Sequence, residues 1–411
     1  MNFLEEMQLR GVIKDVSNKE KFLSLPKNTG VYVGFDPTAT SLHLGNYIQI
    51  SMLKRFQKAG YKVYALLGGA TGMIGDPLGK TEERKLLSNE TVIENKNKIR
   101  KQLESFGLEV VDNYDFYKDM SFLDFLREVG KKVNISYLLA KDLINRRVET
   151  GLSFTEFSYT LIQGYDFLRL YKDKDVRVQF GGSDQWGNII TGLDMIAKEY
   201  GDEHKAVAIS FNLLTDKNGN KFGKSTGGGS LWLDKEINPA FKMYQFLATQ
   251  EDSEVEKLLK WYTFLSLDEI AELMQKHNQE PQNRLAQKTL AFEVVKDIHG
   301  EKEALEAQKV SEVLFSSNLS YQDLSESDFD ALKKHIQVIS LNKNELLIDQ
   351  LIAQKVISSK REYREFLAAG SLRVNGVSLT DENYLVDQDL LHNKFALFKK
   401  GKKNLYILEV K

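Results

Sequence analysis

Residues 30–67 constrain the fold more than any other stretch. VYVGF (31–35) is an apolar run of strand length, and KVYALL (62–67) is a second. Between them, Leu44, Ile48, Met52 and Phe56 recur every four residues, the spacing of one helix face. Strands apolar on both faces are buried on both, and two of them joined through a helix form a right-handed parallel crossover. Ser41 is the expected helix cap and Gly60 the expected stop. The pattern recurs with strands at 108–112 and 176–180, a helix near 185–199 and AVAIS at 206–210. Residues 1–230 therefore form an α/β domain, whose ligands are expected at the carboxyl ends of its parallel strands.

The strand signal then fades. Residues 231–320 are expected to be a helical domain, with Trp261, Phe264 and Phe292 in its core. A linker is expected at 321–342. A third unit, 343–411, carries two short helices, a hairpin at Val374-Asn375-Gly376-Val377 and a basic end. With 42% hydrophobic and 28% charged residues, the chain has the balance of a soluble globular protein. It has no cysteine, which rules out disulfides and thiolate metal sites. Its first residues lack the basic-then-apolar order of a secretion signal, and no apolar run is long enough to span a bilayer. A cytoplasmic location with no membrane partner is expected. The net charge is −2, yet residues 343–411 hold 12 Lys and Arg against 9 Asp and Glu. That excess alone does not establish a nucleic-acid partner.

Three segments have the chemistry to handle a nucleotide. In GFDPTATSLHLGN, Gly34 lets the backbone approach a ligand, Pro37 holds Asp36 extended, and His43 and Asn46 share a face at a helix start. A helix start favours anionic oxygens. Lys221-Phe222-Gly223-Lys224-Ser225 precedes Thr226 and three glycines. Two ammonium groups on such a loop can meet phosphate charge, although a solvated basic turn has the same composition. GGATGMIGDPLGKTEER (68–84) can seat a nucleotide or simply turn, and Lys80 and Arg84 can reach pyrophosphate or sit on the surface. The run does not have the spacing of a Walker loop.

FSYTLIQGYDFLRL places Tyr159, Gln163 and Asp166 at i, i+4 and i+7, on one helix face. Phe154, Phe157, Leu161, Phe167 and Leu168 surround them, so that face is expected to line a pocket rather than meet solvent. FGGSDQWGN (180–188) follows a strand. There Ser183 is a possible cap, with Asp184 in the first turn. In the tail, Lys360, Arg361 and Arg364 lie on a short helix, and Arg373 on the next strand.

HLGN and KFGKS, in this order and flanking an α/β domain, resemble the two ATP signatures of class I aminoacyl-tRNA synthetases. The Lys-Phe-Gly-Lys variant and the helix around 157–170 are similar to the tyrosine-specific bacterial branch, and the resemblance covers essentially the whole chain. It implies a Rossmann-like catalytic domain, an anticodon-side helical domain and a small α+β RNA-binding module. It also implies roles. Tyr159 and Gln163 hold the α-ammonium of tyrosine, with Asp76 nearby, while Asp166 and Tyr32 hold the phenolic hydroxyl. Gln185 lies by the substrate carboxylate, and Gln179 supports the pocket. Gly34, Asp36, Asn46 and Ser225 bind ATP, and Asp184 binds its ribose. Thr38 and His43 meet the γ-phosphate side. Lys80, Arg84, Lys221 and Lys224 stabilise departing pyrophosphate. Lys360, Arg361, Arg364 and Arg373 contact RNA. Expected substrates are tyrosine, its tRNA, and ATP with Mg²⁺; no organic cofactor and no protein metal cluster is expected. The family also implies a homodimer. The competing readings are a tryptophan-branch synthetase and a non-catalytic RNA-binding protein on the same scaffold.

Overall fold

A computed structural model of the chain describes residues 1–76, 86–139, 148, 151–214, 231–315, 321–386, 389–401 and 404–410. It divides into two compact units. One comprises Met1–Pro239 with Phe246–Val294, the other Ala240–Gln245 with Val295–Lys411. No described helix is long and apolar enough to cross a membrane.

The first unit is built on a six-stranded sheet. Its strands are β1 (Ile13–Val16), β2 (Gly30–Phe35), β3 (Lys62–Leu67), β4 (Glu109–Asp112), β5 (Val176–Gly182) and β6 (Val207–Phe211). Their order is β1-β6-β5-β2-β3-β4. Strands β2 to β6 pair in parallel, as the alternating pattern requires. β1 adds an antiparallel edge on β6. It escapes sequence reading because IKDV buries only its first residue and part of its last. From β2 the chain winds outward through β3 and β4, then returns to β5 on the other side of β2. The crevice beyond the carboxyl ends of β2 and β5 is therefore the topological switch point of the sheet.

Helix Leu44–Lys58 buries the expected stripe of Leu44, Ile48, Met52 and Phe56. Each such side chain contributes about 1.5–3 kcal/mol. Its N-cap is His43 rather than Ser41. The Ser41 hydroxyl is used in tertiary contacts instead, donating to the Leu42 carbonyl and accepting from Gln102 Nε2 at 2.8 Å. Helix Asp252–Tyr262 docks on this helix. Tyr262 stacks on Tyr47 with ring centroids 5.9 Å apart, and its hydroxyl donates to the Leu44 carbonyl at 3.1 Å. This packing assigns much of the expected helical domain to the first unit. Trp261 is core as expected. Phe264 and Phe292 are only half-buried, and Phe264 presents its ring to Lys58 at 4.0 Å.

The second unit carries a five-stranded sheet of order β7-β11-β10-β8-β9, with strands β7 (Val338–Leu341), β8 (Leu372–Val374), β9 (Val377–Ser378), β10 (Phe395–Lys400) and β11 (Asn404–Val410). The expected hairpin joins β8 to β9. Asn375 and Gly376 adopt φ of 47° and 83°, the left-handed pair that a tight hairpin needs. Residues 321–342 are not a linker. They hold helix Glu326–Lys333 and β7, which pairs in parallel with β11. Phe329 and Leu332 are fully buried in a core with Phe395 and Ile407. The polar composition of 321–342 masks these few apolar anchors.

Candidate active site

The substrate-side helix runs from Phe154 to Asp173 and is capped by Ser153, whose side chain accepts from the Glu156 N–H. Such a cap is worth about 1 kcal/mol. Gly164 lets the helix lie close to its neighbour, Trp186–Tyr200; a Cβ there would come within 3.1 Å of Thr191 and Met195. Leu161, Phe167 and Leu168 are buried around the polar face, whereas Phe154 is 64% exposed. Phe154 occupies the first turn of the helix, beyond the reach of the core.

That polar face opens on a cavity of about 350 Å³ at the switch point. Tyr32, Gly34, Asp36, Thr38, His43, Asn46, Asp76, Tyr159, Gln163, Asp166, Gln179, Asp184 and Gln185 all line it. The remaining sequence candidates on the nucleotide side, Lys80, Arg84, Lys221, Lys224 and Ser225, lie outside the described residues.

One end of the cavity is a buried hydrogen-bond network. The Tyr159 hydroxyl donates to Asp36 Oδ2 at 2.7 Å, and Thr71 Oγ1 donates to Asp36 Oδ1 at 2.7 Å. Asn113 Nδ2 lies 3.2 Å from Thr71 Oγ1 and 3.0 Å from Asp166 Oδ2, and donates to both. Tyr117 Oη lies 2.7 Å from Asp166 Oδ1. Gly68 is required here, because a Cβ would fall 2.1 Å from Asp36 Oδ1. At the other side, Gln185 Nε2 donates to Asp76 Oδ2 at 2.6 Å and Asn188 Nδ2 to Gln185 Oε1 at 3.3 Å.

Asp166 is 1% exposed, and burial pushes its carboxyl up to about 7 despite the opposing hydrogen bonds from Asn113 and Tyr117. Burial likewise raises the phenols of Tyr32, Tyr117 and Tyr159 well above the ordinary tyrosine value, and neighbouring carboxylates add to it. Three buried atoms facing this region have no hydrogen-bond partner among the described residues: Tyr32 Oη, Gln163 Oε1 and Gln179 Oε1. An unsatisfied buried polar atom costs about 1–3 kcal/mol. Three of them around one cavity could be satisfied by a polar ligand.

Sequence reasoning missed Thr71, Asn113 and Tyr117. The available signal was positional: Asn113 directly follows β4, at a strand carboxyl end, and Tyr117 lies four residues further on a helical turn, Tyr114–Tyr117. At the start of helix Leu44–Lys58, Asn46 Oδ1 accepts from the His43 N–H at 3.1 Å, so the donor capacity of this side chain lies in its amide N–H₂. Ser183 is not a cap; Gly182 precedes the 3-10 turn Ser183–Gln185 and no side chain caps it.

Residues 26–316 match the profile of the class I tRNA synthetases (W and Y), and residues 328–408 match the C-terminal domain of SYY-like tyrosine–tRNA ligases. A tyrosine–tRNA ligase of Mycoplasmopsis synoviae is 56% identical over 408 residues, covering 99% of both chains. One of Mycoplasmopsis agalactiae is 51% identical over 410 residues, covering all of both. The chain belongs to the tyrosine–tRNA ligase family. A C-terminally truncated mitochondrial tyrosyl-tRNA synthetase of Aspergillus nidulans has a similar structure, with a TM-score of 0.69 and 31% identity over 76% of this chain and 94% of that one. The class I profile spans both the tryptophan and tyrosine branches; the C-terminal domain and the full-length relatives select the tyrosine branch of the family.

In the second unit, the expected RNA-binding cations have local partners. Lys360 pairs with Asp349 at 2.8 Å, Arg361 with Glu365 at 3.0 Å and Arg364 with Glu382 at 2.7 Å. Arg373 sits directly opposite Lys399 across β8 and β10.

Proposed function

We propose that this chain activates L-tyrosine with ATP and transfers it to the 3′ end of its tRNA, and that the cavity at the switch point is the site of activation. The observation that carries this reading is the unpartnered Tyr32 hydroxyl in the cavity wall that also holds Asp166. A phenolic hydroxyl both donates and accepts, so it satisfies a carboxylate and a tyrosine hydroxyl at once. Phenylalanine leaves both unpaired, which is the basis of discrimination by a buried polar site; this enzyme class is the standard example of it.

The amino group of tyrosine then lies toward Tyr159, Gln163 and Asp76, all acceptors for an ammonium. Its carboxylate lies near Gln185. One carboxylate oxygen attacks the α-phosphorus of ATP, the bond to the bridging oxygen of the β-phosphate breaks, and pyrophosphate leaves. The terminal ribose hydroxyl of the tRNA next attacks the tyrosyl carbonyl, and AMP leaves with its oxygen. Neither step needs a nucleophile from this chain, so its contribution is positioning and charge stabilisation. His43, Asn46 and Thr38 serve the phosphate end, Gly34 and Asp36 the nucleotide, and Asp184 the ribose. Lys80, Arg84, Lys221, Lys224 and Ser225 supply the charge that meets the departing pyrophosphate. Mg²⁺ enters with ATP, as part of the substrate.

The same reading includes a homodimer in the cytoplasm. Phe122, Leu123 and Leu126 on helix Phe122–Glu128, and Ile135 and Leu139 on helix Ile135–Leu139, are exposed large apolar residues, which supports a self-association face. Light scattering at the size of one chain would remove that part. The second unit is the tRNA-binding module. ATP–pyrophosphate exchange tests the core reading: tyrosine should support it and phenylalanine should not. Exchange supported by tryptophan alone, or by no amino acid, would overturn the reading.

A further inference from the structure

The Tyr117 hydroxyl is enclosed between two acceptors. Asp166 Oδ1 lies 2.7 Å away and the Ile162 carbonyl oxygen 2.8 Å. A phenol has one proton, so it cannot donate to both. When Asp166 is ionised, the proton belongs on the carboxylate, because charge-assisted bonds are the stronger. When Asp166 is protonated, its own O–H donates to Tyr117, which turns its proton to Ile162. Asn113 holds Asp166 Oδ2 in either case.

The surroundings otherwise oppose a charge. Asp36 and Asp112 repel the carboxylate, and burial opposes it most. Asp112 is itself offset by Lys96 at 2.8 Å and Arg100 at 3.6 Å. Among the described residues the phenols of Tyr32, Tyr165 and Tyr159 also face the network, with Asp76 beyond Tyr159 and the Arg169 guanidinium over the Tyr165 ring. Tyr117 is therefore one of only two side chains, with Asn113, that donate to Asp166 among the described residues.

We propose that Tyr117 is a positioning residue for amino-acid selection: its hydroxyl holds the Asp166 carboxyl in one orientation and as an acceptor, so that the cavity presents an acceptor beside the Tyr32 hydroxyl to a phenolic substrate. The proposal rests on the tyrosine-site reading above. Tyr117 itself need not touch the substrate; it acts through Asp166.

Tyr117→Phe removes one oxygen and tests this in the full chain. Wild-type tyrosine-dependent exchange, measured first, checks the underlying reading separately; without it the site assignment itself fails. In the variant, KM for tyrosine should rise about tenfold, the worth of a hydrogen bond to a charged group. KM for ATP should stay within about twofold, since no nucleotide-side group changes. The acid limb of kcat/KM for tyrosine should move to higher pH, because the charged form of Asp166 has lost a donor. The preference for tyrosine over phenylalanine should fall with it. A purely structural role would lower both substrates' parameters at every pH and leave the limb in place; that result, or an unchanged KM for tyrosine, overturns the proposal. Replacing Tyr117 with 3-fluorotyrosine, a better donor of nearly the same shape, keeps the test open if the Phe variant is unstable. It should move the limb the opposite way, and a limb that stays put overturns the proposal equally.

Discussion

The Tyr159 hydroxyl donates to Asp36 Oδ2 at 2.7 Å, joining the second turn of the substrate-side helix to the residue that follows β2. Two residues separated by 123 positions in the chain thus share one proton at the buried end of the cavity. A phenol oxygen that donates keeps its lone pairs, so Tyr159 can accept from an ammonium without releasing Asp36. Tyr159→Phe should raise KM for tyrosine by about tenfold in pyrophosphate exchange and leave KM for ATP nearly unchanged. Equal losses for both substrates would mean that the bond supports the fold and not the amino-acid site.

Asp166→Asn should trade function for stability. In the native state the carboxyl titrates at about 7, far above its unfolded value, because it is buried. The native state therefore binds the extra proton between about pH 4 and pH 7, and stability falls as pH rises through that window. Above it the full cost of the buried charge remains. The amide removes that cost, so the variant should be more stable than wild type at pH 8, by on the order of 1–3 kcal/mol. The margin should vanish near pH 4. Urea unfolding at the two pH values measures it, and exchange should show tyrosine recognition reduced more than tenfold.

Truncation should depend sharply on where the cut falls. Ending the chain at 342 keeps β7 but removes β11, its parallel partner, and exposes an unpaired strand edge beside Phe329 and Leu332. Ending it at 320 removes the helix and strand together. The shorter form should keep pyrophosphate exchange within about threefold and lose most tRNA charging, since phosphate contacts dominate nucleic-acid affinity. The 342 form should aggregate on size-exclusion chromatography. Normal charging by the 320 form would remove the proposed role of the second unit.

Arg373 and Lys399 face each other across β8 and β10, an arrangement that is unfavourable unless an anion relieves it. The neighbouring helix cations are already paired with carboxylates. Arg373→Gln should therefore weaken tRNA binding more than Arg361→Gln does. It should also lower the slope of log affinity against log salt by about 0.9, one phosphate contact. Filter binding at several salt concentrations gives both quantities, and an unchanged slope would place the phosphate contacts elsewhere.

The parallel strands of the first sheet and the shared face of Tyr159, Gln163 and Asp166 were legible in sequence because they rest on local periodicity, whereas the other cavity residues were expected only from the family resemblance. The apolar runs at 31–35 and 62–67 and the alternating VRVQF at 176–180 have the length and the β-branched content of strands. The i, i+4, i+7 spacing of Tyr159, Gln163 and Asp166 puts them on one face whatever else the chain does. Tertiary structure alone decided what completes that face. Thr71, Asn113 and Tyr117 reach Asp36 and Asp166 only because β3 ends beside β2 and β4 beside β3, a juxtaposition that no local pattern encodes. The same holds for β7. Its four residues form a strand because β11 lies alongside and a buried Phe329 holds the preceding helix, while a Ser- and Asp-rich composition suggested a linker. Short-range spacing determines which side chains share a surface; only long-range contact determines which surface they meet, and hence which polar groups are satisfied and which, like the Tyr32 hydroxyl, are left for a ligand.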